Sequence, residues 1–150
     1  MDRHPYLRAY MAGITPPVIF LPLLVALVVA IGHATSLLPR QVEWIFLFPL
    51  IIIPNAFGLW NMLYVKLHSY WHHPIGLHGA ALPFFLGPTV FMVGASLGLV
   101  RVTDQALVYF DIIRFPYWYV TIAPFLAVAA YYLIWKYMIG SLNRVLQLPS

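Results

Sequence analysis

The chain has no cysteine, and among its 150 residues only Asp2, Glu43, Asp104 and Asp111 are acidic. Without thiols there can be no disulfide, no thiolate metal site and no cysteine nucleophile. With so few carboxylates, no pair converges for general acid–base work, and Ser69 beside His68 lacks the third member that a triad needs. No glycine-rich loop offers backbone amides to a phosphate. Enzymatic activity is therefore disfavoured. Charge of either sign is scarce: charged residues make up 8% of the chain, against about 25% in ordinary soluble domains. The formal net charge of +4 is scattered, whereas nucleic-acid binding needs a clustered basic face, so no nucleic-acid partner is expected.

What fills the chain is apolar. Hydrophobic residues reach 63%, against about 45–50% in soluble domains. They gather into four runs, at about 15–38, 44–67, 80–100 and 117–139. Each approaches or exceeds the ~20 residues that cross a hydrocarbon core of about 30 Å. Backbone amides in lipid must bond within their own segment, so these runs are helices. The first is too long for a signal-peptide h-region and lacks an A-x-A cleavage pattern, so it is expected to be retained. The expected fold class is all-α: one domain over residues 1–150, a bundle of four transmembrane helices in a lipid bilayer.

Basic residues set the expected orientation. With the N-terminus inside, Arg3, Arg8, Lys66, Lys136 and Arg144 lie on the inner side with Asp2, a net of +4. Arg40, Arg101 and Arg114 lie outside with Glu43, Asp104 and Asp111, a net of zero. Both termini are thus expected in the cytoplasm, with the chain in a plasma (inner) membrane. Trp44, Trp71 and the run from Phe115 to Tyr119 fall where interfacial anchors belong. The segment from Asp104 to Phe115 is too polar to span and too apolar to hang in water. A short helix on the outer surface is expected there, between helices three and four, with Asp111 and Arg114 in reach of each other.

Four of the six histidines crowd into the stretch HSYWHHPIGLHG, residues 68–79. If helix two continues past Lys66, His68 and His72 share a face at the i, i+4 spacing of helical zinc sites. Pro74 ends the helix, Gly76 and Gly79 allow the chain to turn, and His78 becomes a candidate third ligand. A metal or haem site is therefore an expectation at His68, His72 and His78, although the Glu of H-E-x-x-H and a supporting carboxylate are both missing. His33, some 18 residues past Thr15, lies roughly 27 Å from the inner end and cannot join them. The competing view is a solvated interfacial loop, since histidine has an apolar body and a polar tip.

Depth in the bilayer carries the remaining signal. Asn55 and Thr89 each follow a proline near the centre of their runs, and Asn61 lies on the stripe that leads to His68. They read as interhelical hydrogen-bonding groups or, with the inner histidines, as a polar path. No charged residue is expected at mid-depth, so ion-coupled transport has no obvious handle. Gly94 and Gly98 form a GxxxG motif, and Gly87 extends it as a face for close helix packing. The leading functional expectation is a non-catalytic membrane protein that self-assembles or serves as an accessory subunit of a larger membrane complex, around a lipid or other hydrophobic ligand. A small oligomeric channel or transporter through Asn55, Thr89 and Asn61 is the second reading, and a histidine-ligated metal or haem protein the third.

Overall fold

The computed structural model describes residues 4–34, 43–70 and 72–150. Asp2, Arg3, Arg40, Trp71 and the expected end of the first span at Leu38 lie outside the described residues, as do the side chains of Glu43 and Trp44. Chain order is α1 (Pro5–Ala34), α2 (Glu43–Leu67), α3 (Ile75–Ser96), strands β1 (Val100–Val102), β2 (Ala106–Tyr109) and β3 (Ile113–Pro116), then α4 (Tyr117–Leu133). A π-helical turn (Ile134–Ile139) carries α4 without a break into α5 (Gly140–Val145). Among the described residues, four helical stretches are long and apolar enough to cross a membrane: Pro5–Ala34, Pro49–Leu67, Ile75–Ser96 and Tyr117–Val145. α1 starts ten residues before Thr15, and α3 both starts and ends earlier than expected. Two compact units result, one of α1, α2 and the chain from Met138 onward, the other from His73 to Tyr137.

In the first unit, α1 and α2 run antiparallel and touch backbone to backbone. A Cβ on Gly13 would stand 2.5 Å from the Phe57 carbonyl oxygen and 2.8 Å from Gly58 Cα. One on Gly58 would stand 2.6 Å from the side chains of Tyr10 and Ile14. Small residues let two helix backbones approach closely enough to pack by van der Waals contact. Among the described residues of α2, Pro54, Phe57, Gly58, Asn61 and Tyr64 are buried, and their three- and four-residue steps make one stripe. Facing them, α1 buries Ala9, Ala12, Gly13, Pro16 and Pro17. Proline persists inside a helix here because neighbouring groups can re-satisfy the freed carbonyls.

In the second unit, α3 meets α4 at Gly76 and the π turn at Gly79. A Cβ on Gly79 would come within 2.0 Å of Trp135 Cγ, and one on Gly76 within 2.8 Å of the Tyr132 ring. Trp135 is fully buried. α3 ends in a Schellman motif: the Leu99 amide donates to the Gly94 carbonyl at 2.8 Å and the Gly98 amide to that of Ala95 at 3.1 Å. Gly98 adopts φ +70° to close it, a conformation that costs glycine little.

The expected interfacial helix at Asp104–Phe115 is not there. The chain forms a three-stranded antiparallel meander instead, in the order β1-β2-β3, with Val100 opposite Tyr109 and Tyr109 opposite Ile113. Val100, Val102, Val108, Tyr109, Ile113 and Phe115 supply the β-branched and aromatic side chains that suit a pleated surface. The turn after β2 has positive φ at both central residues, Phe110 (54°) and Asp111 (58°), and the Ile112 amide donates to the Tyr109 carbonyl at 3.1 Å. That is the backbone of a tight hairpin turn that favours Asn-Gly. Asp111 consequently pairs with Arg101 across the sheet, where a helix would have put it in reach of Arg114.

Candidate functional site

The described polar side chains that are fully buried are Asn61 and Asn143, both at 0% exposure. Asn61 is carried on the inner stripe of α2. Asn143 is carried on α5, four residues after Ile139, which is also fully buried. Asn61 Nδ2 donates to the Ala9 carbonyl and to Asn143 Oδ1, each at 2.8 Å. Asn143 Nδ2 answers with bonds to Asn61 Oδ1 at 3.2 Å and to the Pro149 carbonyl at 2.9 Å. Two carboxamides have four N–H donors between them, and all four are engaged. Such a pair has no proton to exchange near neutral pH; it locks three segments of chain together.

The α5 terminus completes this clamp. Gln147 takes φ 55°, and a second Schellman motif forms: the Leu148 amide donates to the Asn143 carbonyl at 2.8 Å and the Gln147 amide to that of Arg144 at 3.0 Å. The reversal carries Pro149 back to Asn143. The Arg8 guanidinium, on α1, donates to the Leu146 carbonyl at the end of α5. A cation at a helix C-terminus is favourably placed against the helix dipole.

The other expected site residues are placed as follows. Asn55 is exposed; its Oδ1 accepts from the Tyr10 hydroxyl at 2.6 Å and its Nδ2 donates to the Ile51 carbonyl at 2.7 Å. Thr89 is exposed and donates back to the Phe85 carbonyl at 2.7 Å. α2 ends at Leu67, before His68; the His68 and His72 ring centroids lie 5.6 Å apart, and His68 lies 5.3 Å from the Tyr64 ring. The buried Nδ1 of His68 has no hydrogen-bond partner among the described residues. His78 lies with its ring edge-on to Trp135, centroids 5.8 Å apart. Among the described residues no group of three ligating side chains gathers as a metal site would require. Gly87 has nothing within 4 Å of a built Cβ, Gly94 closes on Val100, and Gly98 lies beyond the helix. Within the described chain, the close helix contacts fall at Gly13, Gly58, Gly76 and Gly79.

No family model, curated protein or solved structure matches the chain. Chemistry must therefore carry the assignment. Sequence reasoning singled out Asn61 but missed Asn143, 82 positions away. A signal existed: the chain has three asparagines, and Asn143 interrupts the apolar end of the last helix.

Proposed function

We propose that this is a non-catalytic integral membrane protein that works by assembly, with copies of itself or as an accessory subunit of a larger membrane complex. The observation that carries this reading is the closure of the two buried asparagines on one another. Asn61 and Asn143 use every side-chain N–H on protein acceptors, while large apolar side chains along all four long helices remain exposed. A buried amide pair that is fully satisfied rigidifies the core around it, and the exposed apolar faces suit lipid and neighbouring subunits. The charge asymmetry of the sequence supports an inner membrane with both terminal segments on the cytoplasmic side.

Native mass spectrometry of the protein released gently from its own membrane tests this. The expected spectrum shows a defined homo-oligomer or a stoichiometric second polypeptide. A lone monomer that carries solute flux in proteoliposomes would overturn the reading in favour of a transporter.

A further inference from the structure

A groove of about 390 Å³ opens on the first unit, lined by Tyr6, Leu59, Met62, Leu63 and Lys66. Its chemistry is graded. Leu59, Met62, Leu63 and Lys66 lie at steps of three, four and seven along one face of α2, so Lys66 sits roughly 10 Å along the axis from Leu59. Tyr6, from the first turns of α1, joins the α2 residues on the groove wall, and the antiparallel register sets it level with the Lys66 end of α2. The groove is thus apolar at one end, with an ammonium and a phenol hydroxyl at the other. Lysine bends its apolar stem along such a surface and keeps its charge at the membrane face.

We infer that this groove is a binding site for one anionic phospholipid, its acyl chain over Leu59, Met62 and Leu63 and its phosphate at Lys66 and Tyr6. The inference rests on the membrane reading above and adds the ligand class. Charge singles out the occupant. Lys66 is exposed, and among the described residues no carboxylate or aromatic face lies against its ammonium, so its charge is available to a ligand. Lys136 differs, lying 5.5 Å and 5.3 Å from the ring centres of Tyr132 and Tyr137, which already cover its charge. Basic pockets on the cytoplasmic side of membrane helices hold anionic headgroups in this way.

The test reconstitutes the full chain in vesicles of equal phosphatidylglycerol and phosphatidylcholine, then reads retained lipid by native mass spectrometry. Wild type should keep one phosphatidylglycerol, preferred about fivefold over phosphatidylcholine, as one basic residue near a membrane surface confers. Lys66→Gln should abolish the preference, while Lys66→Arg and Lys136→Gln retain it. Inorganic phosphate at millimolar concentration should not displace the lipid; if it does, the site recognises free anions and the lipid assignment falls. Equal retention of both lipids by wild type, or an undiminished preference in Lys66→Gln, overturns the inference and leaves the membrane reading intact. A chain that fails to float with vesicles of either composition overturns both.

Discussion

Asn61 and Asn143 each hold the other's amide where water cannot replace it. Replacing one with leucine orphans the partner, and an unsatisfied buried group costs about 1–3 kcal/mol. Hydrogen bonds between membrane helices average only about 0.6 kcal/mol, so the orphaned group, not the lost bond, sets the size of the effect. Asn61→Leu and Asn143→Leu should each lower unfolding free energy by that larger amount, while the double variant should lose less than the two added together. Denaturant titration in micelles as a double-mutant cycle measures this. Gly79→Ala should be more damaging than Gly87→Ala, because a Cβ at Gly79 meets Trp135 whereas one at Gly87 meets nothing. At this scale the sequence was only half legible. Periodicity put Asn61 on the stripe that leads to His68, but no local pattern names a partner 82 residues away. The glycines showed the same limit: GxxxG marked Gly94 and Gly98, yet the close approaches fall at lone glycines outside any motif.

Elements were legible where hydrophobic length decided the matter. Four long apolar runs became four long helices because only the helix satisfies its backbone internally. The meander was hidden for a definable reason: its second turn is Phe110-Asp111, without the Asn-Gly that announces a hairpin. Phe110 and Asp111 replaced together by Asn-Gly should relieve two positive-φ residues and slow amide exchange at Ile112, read by hydrogen-exchange mass spectrometry; unchanged exchange would mean that the turn does not limit the sheet. Tyr109 offers a second check. Burial pushes its phenol above the ordinary 10.0, so the folded sheet holds the proton more tightly than the unfolded chain does. The associated stability is therefore intact below pH 10 and declines as pH rises through the folded value. Tyr109→Phe should remove that alkaline loss, measured as the pH dependence of sheet exchange above pH 10.

For the molecule as a whole, the absent cysteines become an asset. Every introduced thiol is unique, so topology can be mapped on an otherwise silent background. Asp104→Cys, exposed beside the sheet, should react with an impermeant maleimide in intact cells. Ser150→Cys, also exposed, should react only after permeabilisation. The reverse pattern would invert the orientation inferred from basic residues.

The span between Asn61 and Asn143 also has a meaning in time. At synthesis rates of about 5–20 residues per second, the α1–α2 hairpin exists for roughly 4–16 seconds before its last polar partner has been made. During that interval the nascent hairpin carries a carboxamide with half of its acceptors missing. Formation of the first hairpin and completion of its polar contacts are thus separate events, and a chain that ends between the two leaves Asn61 without its Asn143 acceptor.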